Sequence, residues 1–194
     1  MIISCIGDSL TEGDYGVKGK TGIANVHKEN YPFYLSEITG ATVRNFGKCG
    51  FNPMSYKKYY DEGKVDVKGS DIIIIMLGTN GCLDPEEDIK GNHDYEYLVK
   101  KCCEDAPEAE IILCTPPHVT KNTEYSNCGY ANQVEKAVIF VRDFALKNGF
   151  KLIDTAKCPD FTAENESVMQ PNDGLHFGAA GYKKLAEYIA AHLE

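Results

Sequence analysis

The chain has 194 residues, 43% of them hydrophobic and 25% charged, which is the make-up of an ordinary water-soluble globular protein. That length suits a single domain over residues 1–194, and a chain of this size buries roughly 70% of its unfolded surface without covalent staples. With 20 basic against 29 acidic side chains the net charge is −9, the wrong sign for a nucleic-acid or anionic-membrane partner.

Along the chain, short apolar runs alternate with segments of helical period. Ile2 to Ile6 is a β-rich run that stops at Gly7. Tyr31, Tyr34, Leu35 and Ile38 recur at helical spacing, with Pro32 near the start and Gly40 as the stop. Thr42 to Phe46 predicts a second strand, closed by Gly47 and Gly50. Asp71 to Leu77 is nearly continuous isoleucine, the pattern of a central parallel strand covered on both faces. Tyr95, Leu98, Val99 and Cys102 mark a helix that ends before Pro107, and Glu110 to Cys114 a fourth strand stopped by Pro116-Pro117. Val134, Ala137, Val138, Val141, Phe144 and Ala145 trace the stripe of a long helix ending near Asn148-Gly149. Lys151 to Ile153 is a short last strand, and Tyr182, Leu185, Ala186, Ile189 and Leu193 mark a final helix.

This alternation, with right-handed crossovers, predicts an α/β fold: a flavodoxin-like three-layer α/β/α sandwich around a five-stranded parallel sheet of order 2-1-3-4-5. Ligands of such sheets sit at the carboxyl ends of the strands. The segments just past those ends are Gly7-Asp-Ser-Leu-Thr-Glu-Gly13, Asn45-Phe-Gly-Lys-Cys-Gly50, Gly78-Thr-Asn-Gly81 and Thr115-Pro-Pro-His118.

The longest apolar run, Ile72 to Leu77, is far short of the roughly eighteen residues of a membrane span. Met1 to Ile6 carries no basic leader, so a cytoplasmic location is expected. Eight cysteines form no Cys-x-x-Cys pair and several lie in apolar runs, which reads as buried reduced thiols.

Ser9 follows the first strand at a strand-to-helix turn that would expose its hydroxyl, although Ser9 or Asp8 can equally serve as a helix cap. Asp173 and His176 are three residues apart and can face the same way. A carboxylate on one imidazole nitrogen fixes the tautomer and supports the imidazolium formed at the other. Gly50 can bring a bare backbone N–H to a ligand and Asn80 an amide, the donors that a developing oxyanion needs. Each also has a plain reading as a turn residue.

Taken together, Gly7-Asp8-Ser9-Leu10, Gly50, Gly78-Thr79-Asn80 and Asp173-x-x-His176 resemble, in their order and across nearly the whole chain, the four blocks of the SGNH (GDSL) hydrolases. The resemblance implies Ser9 as nucleophile, His176 as general base and Asp173 as its orienting carboxylate. It further implies an oxyanion hole of the Ser9 and Gly50 N–H groups and the Asn80 side chain, working without a metal or organic cofactor. Many members carry an aspartate directly after the third-block asparagine; here that place is Gly81, so support for Asn80 must come from elsewhere. The Gly-x-Ser-x-Gly elbow of the α/β-hydrolases is absent.

Gly13 to Thr21 superficially resembles a phosphate-binding loop, but Asp14 stands where the first glycine belongs. His27, His93, His118 and His192 lack ligand spacing, which argues against a metal site. The partner expected is a small-molecule ester, with oligomeric state unreadable. Loops Asp14 to Asn30, Cys82 to Asp94 and Val119 to Cys128 are expected to line the cleft, with Tyr15, Tyr31, Phe51 and Tyr125 as its aromatic surface. Without a long apolar lid helix, short-acyl esters such as acetylated carbohydrates are favoured over lipids. Lysophospholipids, acyl thioesters, transfer to an alcohol and a non-catalytic binding module are the alternatives.

Overall fold

The computed structural model describes residues 1–20 and 22–193. Its strands are β1 (Ile2–Gly7), β2 (Thr42–Gly47), β3 (Ile72–Met76), β4 (Glu110–Cys114) and β5 (Lys151–Ile153). The helices are α1 (Ser9–Glu12), α2 (Tyr31–Thr39), α3 (Pro53–Asp61), α4 (Lys90–Asp105), α5 (Ala131–Asn148), α6 (Glu166–Met169) and α7 (Ala179–Ala190). All pairings are parallel and the order is β2-β1-β3-β4-β5, as expected.

The isoleucine run of β3 explains the layering. Its side chains alternate across the sheet, and every one is buried. Ile74 and Met76 join Ile3 and Cys5 of β1 beneath Leu35 of α2 and Leu185 and Ile189 of α7. Ile73 and Ile75 join Ile6 beneath Tyr56 of α3, Leu98 of α4 and Val141 of α5. Each fully buried isoleucine contributes on the order of 1.5–3 kcal/mol, so the sheet centre is the most strongly stabilised part of the molecule. Among the described residues no helix is long and apolar enough to cross a membrane.

Two helices were not expected, α3 and the single-turn α6. α3 starts at a reciprocal cap: Asn52 Oδ1 accepts the Ser55 N–H at 3.1 Å, and Ser55 Oγ accepts the Asn52 N–H at 2.9 Å. Pro53 sits at its first turn, and Tyr56 and Tyr60 form its buried face. The expected buried state of the thiols is only half correct. All eight are free; Cys5, Cys102, Cys114 and Cys158 are buried, whereas Cys49, Cys82, Cys103 and Cys128 are half-exposed because they lie in loops or at the rim of a helix.

The order places β1 beside β3 at the centre, and the crossovers leave β1 and β3 toward opposite layers. That topological switch opens a crevice beyond the carboxyl ends of the two strands.

Candidate active site

The chain leaves β1 through Gly7 and turns at once into α1. Asp8 caps this short helix, its Oδ1 accepting the Leu10 N–H at 3.0 Å. Ser9 is therefore the first helical residue, and its own N–H has no intrahelical acceptor. The expected exposure of the hydroxyl is corrected: Ser9 is only 3% exposed, because its Oγ turns inward onto an imidazole.

That imidazole is His176, whose Nε2 lies 2.9 Å from Ser9 Oγ. Its Nδ1 lies 2.7 Å from Asp173 Oδ2. The other carboxylate oxygen, Oδ1, accepts the backbone N–H groups of Leu175 at 3.0 Å and His176 at 2.8 Å. Burial would raise the Asp173 pKa, but these bonds and the imidazole outweigh it and hold the carboxyl below its usual range. Burial likewise works to depress His176, yet the hydrogen bond and charge of Asp173, with Asp14 and Asp8 beyond, leave it above its ordinary 6.5. An ionised Asp173 can only accept, so Nδ1 carries the proton and Nε2 is free to accept the Ser9 O–H. Asp8 itself, wholly buried, is pushed up to about 6 by desolvation against the pull of the Leu10 N–H.

The turn after β2 brings Gly50 to the same crevice. Gly50 has φ +75°, a left-handed conformation that a side chain disfavours, and its N–H has no acceptor among the described residues. Glu12 of α1 grips this turn from below. Its Oε2 accepts the Cys49 N–H at 2.6 Å and its Oε1 pairs with Lys48 Nζ at 3.0 Å. Asn45 adds a second stitch, Nδ2 donating to Thr11 O at 2.8 Å.

Asn80 follows β3, and its Nδ2 donates to Phe51 O at 3.0 Å, which orients the amide and leaves its second hydrogen for a ligand. The support in doubt at Gly81 comes from α5. Gln133 Nε2 donates to Thr79 O at 2.9 Å, and a Cβ at Gly81 would lie 2.9 Å from Gln133 Oε1. Glycine after Asn80 and glutamine from α5 occupy the space together.

Two clefts that share Ser126 open at the site. One, about 470 Å³, lies on the imidazole side and is lined by Asp14, Lys18, Lys20, Asn25, Glu124, Asn172 and His176. The other, about 420 Å³, lies on the amide side with Gly50, Asn80, Tyr130 and Gln133. The lining thus draws on two of the three expected loops. Cys82 to Asp94 supplies none of it among the described residues. Asp84 there is turned to Lys136 at 2.5 Å and to Asn92, and α4 already begins at Lys90.

Of the expected aromatics, Tyr31 is wholly buried, as the apolar stripe of α2 dictates. Tyr15 stacks on His27, and Phe51 packs edge-on against Tyr56 and Tyr59. Tyr125 is half-buried. The aromatic that does line a cleft is Tyr130, 36% exposed, in the tight turn before α5. Sequence reasoning missed it because no periodicity marks that turn.

The remaining histidines go elsewhere: His93 pairs with Asp88, His118 with the buried Glu166 at 3.1 Å, and His192 with Tyr188 O. The phosphate-loop lookalike forms part of the imidazole-side cleft through Gly16 to Lys20. Thr21 lies outside the described residues.

A parallel sheet with a hydroxyl, an imidazole and a carboxylate hydrogen-bonded in series at its switch point is an architecture suited to acyl-group chemistry. The chain belongs to the GDSL-like lipase/acylhydrolase family, whose sequence profile matches residues 5–184. It is 25% identical to an acetylxylan esterase of Xylanibacter ruminicola over 99% of its own length and 43% of that protein. It is 26% identical to an N-acylneuraminate cytidylyltransferase of Escherichia coli over 80% of its length and 36% of that protein. The chain therefore spans less than half the length of these relatives.

Solved structures share the fold. A carbohydrate acetylesterase from Sinorhizobium meliloti superposes with a TM-score of 0.75 at 18% identity, covering 98% of this chain and 96% of that one. An aryl esterase from M. smegmatis gives 0.75 at 18% identity with the same coverage.

Proposed function

We propose that the protein hydrolyses carboxylic esters through an acyl-serine intermediate. The observation that carries this reading is the unbroken series Ser9 Oγ, His176 Nε2, His176 Nδ1, Asp173 Oδ2, with contacts of 2.9 and 2.7 Å. His176 takes the Ser9 proton as Oγ bonds to the substrate carbonyl carbon. The oxyanion so formed is met by the N–H groups of Ser9 and Gly50 and by the Asn80 amide. Collapse breaks the bond to the alcohol oxygen, which leaves with the proton held by His176. Water then repeats the sequence: its proton passes to His176, its oxygen bonds to the acyl carbon, and the acid departs as Ser9 regains its hydrogen. These steps use no metal or organic cofactor.

The substrate we assign is a small polar ester with a short acyl group, such as an O-acetylated carbohydrate. Support comes from the cleft walls, which beside the His176 imidazole are mostly glycine, amide, hydroxyl and charged groups, with Val17 and the Tyr130 ring as their apolar members and no long apolar channel among the described residues. The acetyl-ester relatives point the same way.

The test is a panel of p-nitrophenyl esters from acetate to palmitate run beside acetylated sugars, with fluorophosphonate labelling of Ser9. Turnover highest on acetate and on acetylated sugars is expected. Highest turnover on palmitate would overturn the short-acyl assignment in favour of lysophospholipid or thioester substrates, and no labelling together with no turnover would leave a binding module. Ester product in excess alcohol would mark a transferase.

A further inference from the structure

The carboxylate of Asp173 has one partner that the reaction sequence above does not use. Asn127, in the segment between β4 and α5, donates from Nδ2 to Asp173 Oδ2 at 2.9 Å, the same oxygen that faces His176 Nδ1. Its backbone N–H also donates to the Asp173 carbonyl at 3.2 Å. A third bond, from Thr120 N–H to Gly174 O at 2.9 Å, ties the same segment to the next residue of the turn. Glu124 and Ser126, both cleft-lining, lie between these anchor points.

We propose that Asn127 is a positioning residue of the acid–base relay, a neutral donor that fixes the second oxygen of Asp173 in line with His176 Nδ1. This rests on the reading of Ser9, His176 and Asp173 given above. With Oδ1 committed to two backbone N–H groups, Oδ2 has two acceptor directions, one for the imidazole and one for a second donor. A donor there pins the carboxylate plane, favours its ionised form and adds no charge. A carboxylate in the same place would repel Asp173. An aliphatic residue would leave Oδ2 free to swivel off Nδ1. Asn127 lies beyond Asp173 and makes no bond to Ser9 or His176 among the described residues, so it acts only through the carboxylate.

Asn127→Ala and Asn127→Asp are compared with the unaltered protein on an acetate ester. Asn127→Ala should lower kcat about tenfold with KM within about twofold. It should also move the acid limb of kcat/KM upward by about half a pH unit, because Asp173 then concentrates its charge on the imidazolium. Asn127→Asp, nearly the same shape, should be worse than alanine, by about a further tenfold near pH 7, since it swaps a donor for a like charge. If Asn127 merely packed its loop, the isosteric aspartate would be the milder change.

A second readout needs no turnover: the far-downfield proton resonance of His176 Nδ1–H in the resting protein. It should shift or broaden in both variants, and Asn127→Ser, which keeps a small polar side chain in the loop, serves if alanine fails to fold. Unchanged kcat, acid limb and resonance in Asn127→Ala, or an aspartate variant more active than alanine, overturns the proposal. Ester turnover surviving in His176→Ala would instead sink the catalytic reading, while the resonance still decides the role of Asn127.

Discussion

Glu12 accepts the Cys49 backbone N–H at 2.6 Å across 37 residues of sequence. The bond clamps the turn that presents Gly50 to the helix that begins at Ser9. Burial of the Glu12 carboxyl works to raise its pKa, but Cys49 and Lys48 together hold it below its usual value, so the clamp is ionised at neutral pH. Glu12→Ala should then loosen two donors relative to one another. We expect kcat on an acetate ester to fall about tenfold with little change in KM, because a donor displaced by a fraction of an ångström serves the transition state first. Steady-state kinetics with Glu12→Gln, which still accepts from Cys49 but loses the charge, should fall between. Unaffected kcat in both variants would detach Glu12 from the site.

Ser9→Ala removes the oxygen we propose as the nucleophile. Turnover and fluorophosphonate labelling should vanish together. The variant should unfold within about 1 kcal/mol of the parent in a urea titration, since one hydrogen bond to His176 is all that is lost. Residual labelling at another residue would show that the nucleophile lies elsewhere.

Asn80→Ala removes one side-chain donor whose orientation is set by Phe51. A kcat lowered by roughly 10²–10³-fold at nearly constant KM is the expected result. A proportionate rise in KM with kcat preserved would make Asn80 a ground-state binding group instead.

The pH dependence has a definite sign. kcat/KM should fall as pH drops through the His176 pKa, with a midpoint above 6.5 because Asp173, Asp14 and Asp8 outweigh burial. Asp173→Asn takes away the largest of those charges, so the midpoint should move down while kcat drops by roughly 10³–10⁴-fold. The same pair links pH to folding. The depressed Asp173 value contributes stability above the unfolded carboxylate pKa of about 3.9, lost as pH falls through the folded value. The raised His176 value contributes below about pH 6.5 and is lost as pH rises through its folded value. Denaturant titrations from pH 3 to 9 on the parent and Asp173→Asn should therefore differ most between about pH 4 and 6.5. An equal difference at every pH would contradict the linkage.

Strand order and the two cores were readable because β3 is five buried residues in a row and the helices around it keep a clean apolar stripe. α3 was missed although its start signals, Asn52, Pro53 and Ser55, stand in plain view. Its buried face is two tyrosines on an otherwise polar segment, which a count of aliphatic residues passes over. Tyr31 shows the opposite slip. Its place in the α2 stripe already assigned it to the interior, and that periodicity outranks the presence of an aromatic near a loop. The four motif blocks named the residues that meet at the crevice, but not what holds them there. Glu12 on Cys49 and Gln133 on Thr79 join residues 37 and 54 positions apart, and no local pattern encodes such pairs.

The distance in sequence between Ser9 and His176, 167 positions, has a consequence for biosynthesis. α7 closes the assembly from the far end of the chain, its Tyr182 hydroxyl donating to the Asp14 carbonyl at 2.6 Å beneath the imidazole. A growing polypeptide carries the Ser9 hydroxyl 167 positions before the imidazole that faces it in the fold. On the mechanism proposed above, reactivity is thereby latent until both ends of that span have been synthesised and folded together.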